Sequence, residues 1–166
     1  MGSGKSTLGR KLADELGISC IDLDDEFESK YKIGITDFFN KYSEKAFREL
    51  EQKLLADFSV VSDIVISTGG GTPCFYDNMK LMNQTGITIY LKAAPSLLIS
   101  RIELSSRKRP VFQQMKDEYF SQNIAQHLSS REPFYEKAQI TIDASNPLVK
   151  EIKMRILDIK NTNGAL

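Results

Sequence analysis

The sequence predicts an α/β fold in three layers, a central parallel sheet flanked by helices. Three observations carry that reading. Short apolar runs of strand length alternate with longer stretches of helical period along the whole chain. Strands separated by helices must run parallel, with the helices packed on the sheet faces. The 166 residues, 41% hydrophobic and 27% charged, are enough for one sizeable core. No linker, repeat or low-complexity tract divides them, so residues 1–166 read as one domain.

Each element has a local reason. Lys5–Leu16 has helical character and is stopped by Gly17, a natural C-terminal residue. "ISCIDL" (18–23) is a short buried strand. Ser43 is an N-cap for "EKAFRELEQKLLADF", whose Phe47, Leu50, Leu54 and Leu55 share one face. "DIVIS" (63–67) is a second strand and runs into Gly69-Gly70-Gly71. "YDNMKLMNQT" is helical and ends at Gly86. "ITIYLK" (87–92) is a third strand, and 96–104 a helix. The basic loop "SSRKRPVF" follows, then a helix over 117–131. "ITID" (140–143) is the fourth strand, 147–159 the last helix, and "NTNGAL" a frayed tail. A further strand is expected immediately ahead of Met1, for the reason given next.

The chain begins "MGSGKST". G-x-x-x-x-G-K-[ST] is a phosphate-binding loop that follows a buried strand. Read as its second half, Gly4-Lys5-Ser6 places the first glycine two residues before Met1. Gly2, Ser3 and Gly4 let backbone N–H groups turn toward phosphate oxygens. The helix that follows aims its positive end at the same point. Lys5 reaches the β- and γ-phosphates, the Ser6 hydroxyl suits Mg²⁺, and Thr7 completes the motif.

Composition excludes other chemistries. Lys+Arg and Asp+Glu both number 22, so no net charge marks a nucleic-acid or acidic-membrane partner. No apolar run approaches the ~20 residues of a membrane span, and no signal peptide is visible, so a cytoplasmic location is expected. Cys20 and Cys74 have neither metal nor redox spacing and read as reduced thiols. The single histidine, His127, lies in a polar helical stretch and reads as a surface residue. Zinc sites and Ser-His-Asp triads are therefore disfavoured, and the chemistry falls to carboxylates, cations and backbone amides.

Three further groups fit such chemistry. Asp22 and Asp24 end a strand, where open α/β sheets bind ligands, and alternation puts them on one side. One suits a metal-bound water and the other an acceptor hydroxyl. Asp25 opens the next helix. Gly69, Gly70 and Gly71 end another strand and allow close approach of a ligand to backbone N–H groups. Ser67 stands where many phosphate-loop enzymes end a strand with a metal-binding aspartate, which moves that duty to Asp22. Arg48, Arg109 and Arg131 suit a forked carboxylate clamp and a finger on transferring phosphate. Arg107, Lys108 and Arg109 precede a proline in a loop, as a mobile cover does.

Taken in order, G-S-G-K-S-T, D-L-D, F-R-x-x-E (47–51), S-T-G-G-G (67–71), R-P (109–110), R-x-P-x-Y (131–135) and N-P (146–147) resemble the shikimate kinases. These are small relatives of the nucleoside monophosphate kinases. The resemblance covers residues 1–150. It implies a P-loop kinase fold with a lid near 105–116 and a substrate-binding helical region near 25–57. The implied reaction moves the γ-phosphate of ATP, with Mg²⁺, to the 3-hydroxyl of shikimate, on the route to chorismate and the aromatic amino acids.

The resemblance also implies roles. Lys5 and Ser6 take the phosphate and Mg²⁺, and Asp22 holds a metal-bound water. Asp24 meets the shikimate hydroxyls as base or orienting group. A free Asp, with pKa ~3.9, is ionised at neutral pH and a weak base, so orientation weighs as much as proton abstraction. Arg48 and Arg131 grip the shikimate carboxylate, with Glu51 orienting the Arg48 region. Gly69, Gly70 and Gly71 form the platform beside the substrate, and Phe39 and Phe47 its aromatic walls. Arg109 is the lid arginine, Pro147 lines the adenine, and Arg101 stacks on its other face. A monomer is implied. The competing readings are another small-molecule kinase of this fold, such as a gluconate kinase, and a catalytically silent nucleotide-binding module.

Overall fold

The computed structural model describes residues 2–104 and 120–163. Among these the order is α1 (Lys5–Leu16), β1 (Ser19–Asp22), α2 (Leu23–Tyr31), α3 (Ile35–Lys41), α4 (Glu44–Ser59) and β2 (Ile64–Ser67). A 3-10 turn (Thr72–Cys74), α5 (Asn78–Thr85), β3 (Ile89–Lys92) and α6 (Pro95–Leu104) follow. The last described elements are α7 (Phe120–Ser129), α8 (Glu132–Tyr135), β4 (Ile140–Asp143) and α9 (Val149–Asn163). The ends obey local rules. Gly17 caps α1 at φ 69°, donating its N–H to the last turn. The Ser43 hydroxyl accepts from Ala46 N–H at 3.2 Å and starts α4. Pro95 occupies the first position of α6, where its missing N–H costs nothing.

β2 sets the layers. Successive strand side chains point to opposite faces. Val65 packs on a cluster built by Leu8 and Leu12 of α1, Leu98 of α6, Ile124 of α7 and Ile152 of α9. Ile66 packs on a second cluster, built by Leu23, Phe27, Phe38, Phe47 and Leu54 of α2–α4. A core on each face of the strands is the three-layer arrangement expected. The second core is aromatic: the Phe27 ring lies 4.7 Å from Phe47 and 5.3 Å from Phe38, centroid to centroid. Burying each such ring is worth roughly 1.5–3 kcal/mol, which fixes α2, α3 and α4 against one another.

All pairings are parallel, as expected. β1 runs beside β2 with Asp22 opposite Ser67, and β3 beside β4 with Lys92 opposite Asp143. The single expected sheet is instead two parallel pairs among the described residues. β2 and β3 both line a cavity of about 800 Å³, walled also by Leu8, Leu12, Ile124 and Ile156. Each of these two strands is paired on one edge only.

Other expectations change in detail. β1 stops at Asp22 because that side chain turns to cap α2, accepting from Asp24 N–H at 3.1 Å. Asp24 is therefore in the first turn of a helix, and the shared strand face expected for Asp22 and Asp24 does not exist. The helix expected to reach residue 131 ends at Ser129, and Arg131 caps the short α8. α9 runs on through Asn163, taking in the start of the expected tail. The lid stretch 105–116, with Arg107, Lys108 and Arg109, lies outside the described residues. No helix among the described residues is long and apolar enough to cross a membrane.

Candidate active site

One cluster of the sequence-predicted residues forms where α1 begins. Gly4 caps the helix in the left-handed region, φ 93°, without a side-chain hydrogen bond to the first-turn amides. An L side chain is strained there, and a helix start without a side-chain cap presents N–H groups to an anion. Lys5 and Ser6 follow at once and are half-buried. The Ser6 hydroxyl donates to Asp22 Oδ2, joining the first turn of α1 to the end of β1. Ser67, opposite Asp22 and buried, sends its hydroxyl to the Lys5 carbonyl at 3.4 Å. Arg101 braces the loop from α6. Its Nη1 donates to Ser3 O at 3.0 Å and its Nη2 to Ala144 O at 3.0 Å.

A second cluster is built around Arg48. This residue is 8% exposed, and its Nη1 donates to Glu51 Oε2 at 2.8 Å. Its outer edge, Nη2 and Nε, meets Glu44 Oε1 at 3.0 and 3.3 Å. The guanidinium lies between two rings, 4.2 Å from the Phe75 centroid and 5.0 Å from Phe47. It also presses on Gly71: a Cβ there would lie 2.6 Å from both Nη atoms. Gly69 is as crowded, since its Cβ would come within 2.9 Å of Asp24 Oδ1. Asp24 thus leans over the glycine run from the start of α2.

Arg131 reaches the same place from the other end of the chain. The Cys74 thiol is pushed up by burial, and the pull of both Arg131 and Arg48 offsets this in part. One thiol therefore feels both guanidinium groups. Arg131 is also close enough to Tyr135 to act on its hydroxyl, which donates to the Gly70 carbonyl at 2.5 Å. Burial pushes the Tyr135 pKa up to about 12, with Cys74 adding to it and Arg131 opposing. The hydroxyl stays a donor throughout the physiological range. His127 is half-buried near Arg131 rather than on the open surface. Burial first, and then that guanidinium, lower its pKa.

The sequence-family model for shikimate kinase matches residues 1–160. The chain belongs to the shikimate kinase family. A shikimate kinase of Parabacteroides distasonis is 44% identical over 166 residues, covering 100% of this chain and 92% of that relative. The crystal structure of shikimate kinase from Bacteroides thetaiotaomicron superimposes with a TM-score of 0.84 at 36% identity, covering 99% of this chain and 94% of that one. Shikimate kinase from Acinetobacter baumannii, in complex with shikimate, gives 0.83 at 32% identity, covering 98% and 89%.

In this shikimate kinase family member, most of the residues singled out in the sequence converge. Lys5, Ser6 and Asp22 meet where α1 begins. Asp24, Arg48, Gly69, Gly70, Gly71 and Arg131 meet around the triple glycine. Phe39 packs on Phe47 at 4.8 Å between centroids, beside the Arg48 helix. Pro147 is half-buried in the segment after β4, and Thr7 is exposed on α1. Arg101 donates through its edge to the carbonyls of Ser3 and Ala144, which leaves the faces of the guanidinium out of these bonds. Arg109 lies outside the described residues.

Four residues of the site escaped sequence reasoning. Thr72, Phe75 and Asn78 follow the triple glycine, where no periodicity singles out a side chain. Tyr135 sits within R-x-P-x-Y, and that motif was its only signal.

Proposed function

We propose that this chain catalyses transfer of the γ-phosphate of ATP to the 3-hydroxyl of shikimate, giving shikimate 3-phosphate and ADP. The observation that carries the reading is the convergence of Arg48 and Arg131 beside Gly69–Gly71, under Asp24, next to a helix start suited to phosphate. Two guanidinium groups fit one carboxylate, and the glycines let a ring carrying hydroxyls approach the backbone. Membership of the family, and the shikimate bound in the Acinetobacter baumannii relative, support the same acceptor.

Phosphoryl transfer needs positioning and charge neutralisation more than covalent help. Lys5 and the first-turn amides of α1 hold the phosphates. The Ser6 hydroxyl and Asp22 carboxylate already touch, and a pair of hard oxygens suits Mg²⁺ alongside phosphate oxygens. When bound, Mg²⁺ offsets the charge that develops on the transferring group. Asp24 orients the acceptor hydroxyl and takes its proton late in the transfer. Glu44 is half-exposed, so its bond to Arg48 is weak and yields to a substrate carboxylate. Glu51, at 3% exposure, stays as the fixed partner.

The test is ADP release coupled to NADH oxidation, with shikimate and gluconate compared. Turnover with shikimate and none with gluconate is expected, and the reverse ends the proposal. Arg131→Ala should raise the KM for shikimate far more than that for ATP. A loss confined to ATP binding would show the clamp to be misassigned.

A further inference from the structure

The buried polar groups behind Arg48 form one chain of hydrogen bonds that the reaction as described does not use. Glu51 Oε1 accepts from the Thr72 hydroxyl at 2.6 Å, while Oε2 faces Arg48. Thr72 is 0% exposed and is itself pinned. Its N–H donates to Gly69 O at 3.3 Å, and its carbonyl accepts from Asn78 Nδ2 at 2.9 Å. Asn78 is 1% exposed, and its Oδ1 has no hydrogen-bond partner. An orphaned buried amide oxygen is costly. That cost is borne at a residue whose amide nitrogen fixes Thr72.

The position of the Thr72 hydroxyl gives it a task. A Cβ at Gly69 would lie 2.9 Å from Asp24 Oδ1, 3.1 Å from Thr72 Oγ1 and 3.2 Å from Glu51 Oε1. The carboxyls of Asp24 and Glu51 thus crowd one point, with the Thr72 hydroxyl between elements α2 and α4. A carboxylate accepts only, so the hydroxyl donates to it. That bond leaves the other oxygen of Glu51 to face Arg48.

We infer that Thr72 is a positioning residue for substrate binding: its hydroxyl, anchored by Asn78, turns Glu51 so that Arg48 is aimed at the acceptor's carboxylate. Thr72 is fully buried and has no surface to offer a ligand. It acts through Glu51. Serine keeps the donor, and valine keeps the shape without it. This inference rests on the proposed reaction with shikimate.

The experiment compares wild type, Thr72→Val, Thr72→Ser, Glu51→Gln and the Thr72→Val/Glu51→Gln double variant in steady-state ADP release. Thr72→Val is expected to raise the shikimate KM about 10- to 30-fold and leave the ATP KM within about twofold. Thr72→Ser should stay within about threefold of wild type. The double variant should be no worse than Glu51→Gln alone, because the two act in series. Overturning results are an unchanged shikimate KM in Thr72→Val, a serine variant as impaired as valine, or additive losses in the double variant. If Thr72→Val does not fold, the serine variant and an Asn78→Ser variant carry the test. Serine at 72 must keep the shikimate KM, and Asn78→Ser must raise it without moving that for ATP. Wild type inert toward shikimate would sink the proposed function itself, a distinct outcome.

Discussion

Gly71→Ala isolates the placement of Arg48 from everything else. Gly71 has φ −89° and ψ −25°, a conformation any L residue adopts, so alanine brings no backbone strain. The whole cost is steric. The new Cβ would lie 2.6 Å from Nη1 and Nη2 of Arg48 and 2.8 Å from Cζ. Relaxed contacts of this kind need about 3.5 Å, so the guanidinium must move by roughly 0.8 Å or more. It starts from a 2.8 Å bond to Glu51 and a ring contact at 4.2 Å, and that shift spoils both. A hydrogen bond to a charged group contributes ~1.5–3 kcal/mol, which corresponds to roughly a 10- to 150-fold rise in the shikimate KM. The assay is ADP release with shikimate varied at saturating ATP, then the converse. Gly34→Ala is the control, since a Cβ there meets nothing nearer than 3.6 Å. A shikimate KM that does not move, or an ATP KM that rises in step with it, refutes the reasoning.

Lys5→Ala should lower turnover by roughly 100-fold or more, because one donor aimed at developing phosphate charge is lost. Normal turnover in the same assay would contradict the loop assignment. Tyr135 carries a pH signature. Its pKa is raised from 10.0 to about 12, so the unfolded state ionises first as pH rises. Stability from the neutral hydroxyl is full below pH 10 and is lost between about pH 10 and 12, by about 2–3 kcal/mol. Urea unfolding of Tyr135→Phe should therefore show a shallower alkaline loss than wild type, and equal slopes would count against the burial argument.

How much was legible in the sequence differs by residue. The helix starts and stops at Gly17 and Ser43 were readable because capping is decided within a few residues. The parallel pairing of β1 with β2 followed from the helices between them. Lys5, Ser6, Arg48 and Arg131 were singled out because the motif order resembles one family, and the structure brings Arg48 and Arg131 near one thiol. Asp24 was found but misplaced. Alternation assumed that the strand continued, whereas Asp22 used its side chain to begin a helix. For Arg101 the charge was evident, but not that its hydrogen bonds go to the carbonyls of Ser3 and Ala144, far apart in the chain. Thr72 and Asn78 look like ordinary loop residues until burial makes each of their hydrogen bonds consequential.

The sequence by itself determined the alternating elements, the phosphate-binding half-loop and the family, since these depend on period, spacing and order along the chain. Only the tertiary structure decided that Glu51 stands between Arg48 and Thr72, that Gly71 must lack a side chain, and that Cys74 feels both arginines. It also decided how β1 pairs with β2 and β3 with β4 among the described residues. The physical reason is range. Caps and periodicity are set by neighbours a few residues apart, whereas the aim of a buried charge is set by every group that packing brings around it, and those come from distant parts of the chain.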